Sequence, residues 1–133
     1  MSRSETTFRV RYGETDQMGY AYHPNYLVWC EIGRTEHMRK LGVPYAELEK
    51  RGWFLAVAEA SVRYGAPARY DDRVRVDTWV DTVRSRAITF RYEIHRTDPE
   101  PARLARASTT LISMDAGGKS RTLPEDVLEL FRS

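Results

Sequence analysis

The segment that most constrains the fold is one long, largely apolar helix. Residues 24–41 start with proline, which suits the first turn because its missing N–H has no helical partner there. Gly42 and Pro44 follow, as is typical of a helix end. Apolar residues cover most sides of the early turns: Tyr26, Leu27, Trp29, Cys30, Ile32 and Gly33. We therefore expect the rest of the chain to wrap around this helix.

Alternating apolar and polar residues predict five strands, one before the helix and four after it. The predicted strands are residues 5–12, 54–64, 73–82, 86–96 and 103–114. Short helices are predicted at residues 44–51 and 123–131. This order favours an α+β fold in which a curved antiparallel five-stranded sheet is wrapped around one long central helix. Open edges in so small a sheet favour dimerisation by sheet extension.

Two finer expectations concern the faces of these strands. In the first strand, alternate residues from Phe8 to Tyr12 share one face. In residues 54–64, Glu59 falls on the face opposite to the small residues Ala56, Ala58 and Ala60. We expect the small-residue face to receive the long helix, with Gly33 allowing a close approach.

Composition limits the classes of function. The 133 residues suffice for a single domain, residues 1–133, and 21 basic and 19 acidic residues are interleaved with a net charge of +2. Without a basic tract, we expect no nucleic-acid partner. The single cysteine, Cys30, rules out an intrachain disulfide and disfavours a cysteine-bound metal, so no metal site is expected. Because no apolar run reaches about 18 residues and no signal-peptide pattern is present, we expect no membrane insertion and a cytoplasmic location.

The candidate chemistry lies in the segment Tyr-Gly-Glu-Thr-Asp-Gln-Met-Gly at residues 12–19, which is followed by His-Pro-Asn-Tyr at residues 23–26. Asp16 could act as a general base or a nucleophile beside the start of the long helix, where backbone N–H groups are free and the helix dipole is positive. The alternative is a turn-forming aspartate that accepts hydrogen bonds from its own backbone neighbours. Taken alone, Asp16 fits the second interpretation better.

The residues at the helix entry also allow two interpretations. His23 precedes a proline and should be extended, so its backbone N–H would lie where an oxyanion donor is useful. Its side chain could equally be an ordinary loop histidine. Asn25 could cap the helix, and Tyr26 could be a core aromatic or a ligand contact.

Other charged residues could contribute to a pocket. Glu31 on the helix and Glu59 in its strand could face a substrate or simply pair with an arginine. Arg84 and Arg86 flank a predicted hairpin turn, where two guanidinium groups could clamp a phosphate or remain solvated.

Together these residues resemble the hotdog-fold acyl-CoA thioesterases. The most similar branch is the 4-hydroxybenzoyl-CoA thioesterase-like group, with its relatives, the short-chain acyl-CoA thioesterases associated with the Tol–Pal system. The resemblance covers roughly residues 5–115 and rests on the Asp-x-x-Gly motif at Asp16 and the His-x-Asn-Tyr motif at His23. It implies a hotdog fold and hydrolysis of a small acyl- or aroyl-CoA to the free acid and CoA.

The resemblance also implies a role for each matched residue. Asp16 matches the catalytic aspartate, and the backbone N–H of His23 matches the group that polarises the thioester carbonyl. The implied substrate-binding residues are Gly19, Asn25, Tyr26, Glu31 and Glu59, and the implied CoA phosphate-binding residues are Arg84 and Arg86. No cofactor is implied, because coenzyme A enters as part of the substrate. Family active sites lie between two subunits, so a homodimer or a tetramer formed by two dimers is expected.

Three alternatives remain at this point. The thioester could be carried by an acyl carrier protein instead of coenzyme A, since both share the phosphopantetheine arm. A hotdog dehydratase or isomerase is disfavoured, because the Asp16 loop fits hydrolysis better. A non-catalytic acyl-CoA-binding hotdog protein is disfavoured as well, since a protein that only binds has no need for the carboxylate of Asp16.

Overall fold

The computed structural model describes residues 2–133 and contains one five-stranded antiparallel sheet with three α-helices. The strands are β1 (Arg3–Arg9), β2 (Phe54–Tyr64), β3 (Arg73–Val83), β4 (Ala87–Asp98) and β5 (Ala102–Met114). The helices are α1 (Asn25–Leu41), α2 (Tyr45–Lys50) and α3 (Glu125–Arg132). The sheet order is β1-β3-β4-β5-β2, so β1 and β2 are its two edges. No helix within residues 2–133 is both long and apolar enough to cross a membrane.

Helix α1 lies against the inner face of the sheet, as the sequence predicts, and ends at Gly42 with φ of 92°. At Gly33 the helix backbone comes very close to β3. A Cβ atom at that position would lie 2.5 Å from Thr78 Oγ1 and 2.8 Å from Val76 Cγ1. The helix therefore packs closely on β3, and the expectation that Gly33 meets the small-residue face of β2 is wrong.

The two faces of β2 also differ from the simple alternation in the sequence. A β-bulge lies between Val57 and Glu59, so Ala58 has no partner on β5. The residues after the bulge therefore point to the opposite face from the one that strict alternation predicts. Glu59 pairs with Thr110, whose hydroxyl bonds Thr89 on the outer face of the sheet. Glu59 therefore points away from α1, and it does not share a pocket with the helix.

The first strand is shorter than predicted. It ends at Arg9, and residues Tyr12–Glu14 form a 3₁₀ turn. Val10 is buried as expected, but Tyr12 is 78% exposed, so the shared apolar face ends before Tyr12. The reason is that the chain turns away from the sheet at this point to build the Asp16 loop.

A buried polar contact joins β1 to α1. The Oγ atom of Ser4 lies 2.6 Å from Nδ1 of His37, and both side chains are buried. Burial lowers the pKa of His37, and the nearby charge of Lys40 lowers it further. The neutral imidazole is therefore the form that the fold accommodates.

Candidate active site

Asp16 lies in a tight turn and is half-buried. Its Oδ1 atom accepts hydrogen bonds from the backbone N–H of Met18 at 2.9 Å and of Tyr20 at 3.4 Å. The backbone carbonyl of Asp16 accepts from Gly19, which has φ of 85°, a conformation that favours glycine. Within residues 2–133, Oδ2 accepts no hydrogen bond. Asp16 is thus a turn residue with one carboxylate oxygen still available.

His23 immediately precedes the N-cap of α1. Its backbone N–H donates no hydrogen bond within the described chain, while its carbonyl accepts from the amide of Tyr26 at 3.2 Å and from the Tyr64 hydroxyl at 3.0 Å. The imidazole is exposed and lies edge-on to Tyr22 and Tyr64, with ring centroids 4.9 and 6.2 Å apart. The free amide is the group that can polarise a carbonyl here.

Glu14 organises this loop, a role that the sequence reasoning missed. Its buried carboxylate accepts from the Trp29 indole N–H at 2.9 Å and from the Arg11 backbone N–H at 2.8 Å. Its backbone carbonyl accepts from the Asn25 side-chain amide at 2.8 Å. The spacing of three residues between Arg11 and Glu14 matches a capping box, but the arginine at the first position lacks the usual Ser or Thr signal.

Asn25 and Tyr26, which the sequence predicts as substrate contacts, have structural roles within a single chain. Asn25 holds the loop through its bond to Glu14. Tyr26 is only 3% exposed and packs against Trp29 and Tyr64, with ring centroids 4.6 and 5.0 Å apart. Their role as substrate contacts stays a prediction.

A cleft opens between α1 and the inner faces of β2 and β5. It contains two adjoining cavities, of about 280 and 210 Å³, which share Glu31, Arg34 and Val57. The larger one is lined further by Thr35, Met38, Tyr45, Leu55 and Leu111. Glu31 is therefore a pocket residue, whereas Glu59 on the opposite face is not.

A polar chain crosses the floor of this cleft. Arg34 Nη1 donates to the Tyr92 hydroxyl at 3.2 Å, and that hydroxyl lies 2.7 Å from Thr109 Oγ1. Burial raises the pKa of Tyr92, so its hydroxyl stays protonated. The buried thiol of Cys30 has its pKa raised to about 12 by desolvation, which makes it a poor nucleophile.

Arg84 and Arg86 lie far from Asp16 in the same chain. The Asp16 loop contacts the segment before β3, where the Ala21 amide donates to the carbonyl of Ala68. The two arginines flank the turn after β3. The 11 residues of β3 span about 33 Å, at ~3.3 Å for each step along the strand. A single chain therefore does not bring the carboxylate and these guanidinium groups together.

Only one group of three potential metal ligands occurs within residues 2–133, namely Asp77, Glu93 and His95 on the outer face. Both carboxylate oxygens of Asp77 already accept hydrogen bonds from Arg75, at 2.8 and 3.2 Å. The guanidinium group thus supplies the positive charge that a metal ion would bring.

The geometry around Asp16 can support acyl transfer to water. Among residues 2–133, one Asp16 carboxylate oxygen and the His23 amide have no hydrogen-bond partner, and both belong to a loop that Glu14 and Asn25 hold against α1. Such a carboxylate can attack or deprotonate, and such an amide can stabilise an oxyanion.

Comparisons with known proteins identify the family of the chain. Residues 10–131 match the family model described as "Thioesterase-like superfamily". The putative acyl-CoA thioesterase YneP of Bacillus subtilis is 36% identical over 86% of this chain and 82% of its own length. The acyl-CoA thioester hydrolase YbgC of Escherichia coli is 30% identical over 93% of this chain and 92% of its own.

A solved structure agrees as well. The DHNA-CoA thioesterase of Staphylococcus aureus superposes with a TM-score of 0.92 at 34% identity, covering 99% of this chain and 90% of that one. The five-stranded sheet around α1 is thus the hotdog fold, and the chain belongs to the thioesterase-like superfamily.

Proposed function

We propose that this protein hydrolyses the thioester of a small acyl- or aroyl-CoA to the free acid and CoA. The observation that carries the proposal is that one loop contains both the Asp16 carboxylate and, at the entry of α1, the His23 amide, which donates no hydrogen bond within residues 2–133. The similarity to proteins named acyl-CoA thioesterases supports the same reaction.

The reaction requires two tasks that this loop can perform. The thioester carbonyl accepts a hydrogen bond from the His23 N–H, so that negative charge developing on oxygen is stabilised. Asp16 either attacks the carbonyl carbon, forming an anhydride that water then cleaves, or removes a proton from the attacking water. In both routes the C–S bond breaks, the leaving CoA thiolate takes up a proton to become the thiol, and the acid is released. Neither route calls on a cofactor.

We expect the acyl group to bind in the cleft between α1 and the inner faces of β2 and β5. Met38, Leu55 and Leu111 supply its apolar walls, and Glu31 lies among them. Gly19 permits the turn at Asp16 through its positive φ, and Tyr26 packs against Trp29 and Tyr64 beside the helix entry.

The location of Arg84 and Arg86 points to a site shared between subunits. Strand β2 is an open edge with exposed side chains along its middle, including Val57. Antiparallel pairing of two β2 strands would place Tyr64 of one subunit, which contacts His23, near Phe54 of the other. Phe54 pairs with Met114, and the adjacent Ser113 bonds the carbonyl of Arg86.

A homodimer formed in this way would bring the arginines of one subunit to the Asp16 loop of the other. Arg84 and Arg86 would then hold CoA phosphates, as arginine geometry suits. Two such dimers could pair again into a tetramer.

Release of free thiol from acyl-CoA tests this function, with a matched control. Asp115 forms the same kind of turn as Asp16, because its Oδ1 accepts from Gly117 at 2.9 Å and from Lys119 at 3.0 Å. We expect Asp16→Asn to lower turnover by at least about 100-fold and Asp115→Asn to leave it near wild type. Equal activities for the two variants would remove Asp16 from the mechanism.

A further inference from the structure

Arg34, on the floor of the cleft between α1 and the sheet, is half-buried and has no ion-pair partner in the described chain. Within residues 2–133, no carboxylate oxygen lies within 4.0 Å of its guanidinium group. The group makes one hydrogen bond there, from Nη1 to the Tyr92 hydroxyl at 3.2 Å. Arg39, the other arginine of α1, differs because it forms an ion pair with Glu36. Most N–H donors of the Arg34 guanidinium are therefore left without a protein acceptor.

The direction of the hydrogen bonds around Arg34 makes the floor of the cleft rich in donors. A guanidinium group can only donate, so the Tyr92 oxygen is the acceptor in their contact. The Tyr92 O–H then donates to Thr109 Oγ1 at 2.7 Å, because no other acceptor lies within reach in residues 2–133. This leaves the Thr109 O–H to donate in turn. Arg34 and Thr109 both line the smaller cavity, and neither supplies an acceptor to the other.

Glu31 does not balance the charge of Arg34. It lines both cavities and lies about one turn earlier on α1, but its carboxylate is more than 4.0 Å from the guanidinium group. Glu31 is exposed, so water solvates its charge and weakens its attraction for Arg34. The half-buried guanidinium is thus the charge that remains on the floor of the cleft.

The space beside Arg34 is largely apolar and large enough for an acyl chain. Met38, Leu55 and Leu111 form walls of the larger cavity, whose volume is about 280 Å³. An apolar cavity of about 150 Å³ is enough to hold a benzene molecule. A chain of several methylene groups therefore fits against these walls with its far end at Arg34.

A carboxylate is the group that this arrangement best accommodates. It only accepts hydrogen bonds, and its two oxygens match the planar fork of a guanidinium group. A hydroxyl or carbonyl oxygen would accept from one N–H but would leave the charge of Arg34 unbalanced in a partly desolvated place. A terminal methyl group would do neither.

We propose that Arg34 selects acyl groups that end in a carboxylate, so that the substrates are CoA thioesters of dicarboxylic acids. The inference rests on the proposed function and names its substrate class. The thioester lies at the Asp16 loop and the free carboxylate at Arg34, nine residues or about 14 Å along α1 from Asn25. Helical side chains lean towards the N-terminus, which shortens the distance that the acyl chain has to span.

Turnover of matched acyl-CoA pairs tests the selection. Adipoyl-CoA and hexanoyl-CoA have acyl chains of the same length, which end in a carboxylate and a methyl group. We expect wild type to favour adipoyl-CoA by about tenfold or more in kcat/KM, since hydrogen bonds to charged groups contribute that much. In Arg34→Gln this ratio should fall to about one or below. The pairs glutaryl/valeryl and suberyl/octanoyl extend the comparison to shorter and longer chains.

Arg39→Gln is the matched control, because it removes the same charge from α1 at an ion-paired arginine that lines the groove with β1. It should keep the wild-type ratio. A wild type that favours the methyl-ended thioester in all three pairs, or the same ratio in Arg34→Gln and Arg39→Gln, would overturn the inference.

Calorimetric binding to Asp16→Asn separates this inference from the proposed function. We expect adipoyl-CoA to bind this variant about tenfold more tightly than hexanoyl-CoA, and the double variant Asp16→Asn/Arg34→Gln to bind the two equally. Equal binding of both thioesters by Asp16→Asn would overturn the carboxylate site and leave the hydrolase intact. If wild type hydrolyses none of the thioesters, the proposed function fails, and the binding difference alone then decides whether Arg34 recognises a carboxylate.

Discussion

Asp16 and Asp115 make almost the same local structure, which shows why turn geometry alone does not decide a role. Each accepts hydrogen bonds from the amides two and four residues further on. What distinguishes Asp16 is its surroundings, namely the helix entry at His23 and the support of Glu14. The turn and catalytic interpretations are therefore compatible.

Glu14 should matter for the shape of the loop. In Glu14→Gln, one carboxylate oxygen becomes an NH₂ group, which donates and cannot accept, so either the Trp29 indole or the Arg11 amide loses its acceptor. We expect a loss of about 1–3 kcal/mol in the free energy of unfolding, measured by urea denaturation, together with lower turnover. Wild-type stability in this variant would show that the buried carboxylate does not hold the loop.

Gly33 should tolerate no side chain. Gly33→Ala places a methyl group against Thr78 Oγ1 and Val76 Cγ1, so we expect a loss of about 1–3 kcal/mol in the free energy of unfolding. Gly13→Ala is the matched control, since a Cβ there meets nothing within 4 Å. Equal denaturation midpoints for the two variants would contradict the close packing of α1 on β3.

At the scale of elements, the sequence predicted all five strands and the three α-helices, because their apolar periodicities and terminal prolines are local signals. It could not predict the bulge at Ala58, since one unpaired residue leaves no mark on an alternating pattern. That single residue turns Glu59 to the outer face. The sequence also could not predict the close approach of Gly33 to β3, because this contact depends on the order of the strands in the sheet.

The contact between β1 and α1 should give the fold a measurable pH dependence. Because burial lowers the pKa of His37, the unfolded chain binds a proton more readily than the folded one. The stability is then complete above about pH 6.5 and decreases as the pH falls through that value towards the lowered pKa.

Urea denaturation between pH 7 and about pH 5 measures this effect. We expect the free energy of unfolding of wild type to fall across this range and that of His37→Gln to change less. Parallel curves for the two proteins would assign the pH dependence to other groups.

At the scale of the whole molecule, the sequence motifs identified candidate residues but not their separation. Asp16 and the Arg84–Arg86 turn lie at opposite ends of β3, and only the folded sheet reveals this distance. The sequence predicts that the sheet has open edges, but it does not predict which edge carries the exposed apolar residues. These two facts together are the reason for proposing an assembly through β2.

The proposed assembly through β2 should be sensitive to charge on the side of α1 that borders β2. Val28 is 46% exposed beside the cleft with β2, whereas Ile32 is 38% exposed and lines a groove with β1. We expect Val28→Glu to shift the mass measured by light scattering towards 15.5 kDa and to lower turnover. Ile32→Glu should retain both the assembly and the activity. A wild-type protein that is monomeric and active would contradict a shared site.

The central claim is that the Asp16 carboxylate carries out thioester hydrolysis and is not merely part of the fold. The most direct measurement compares binding and turnover of one acyl-CoA by wild type and Asp16→Asn. An asparagine can keep the turn, because its side-chain oxygen still accepts from Met18 and Tyr20. We predict similar dissociation constants for the two proteins but a kcat at least about 100-fold lower for Asp16→Asn. A variant that binds and turns over acyl-CoA like wild type would contradict the account.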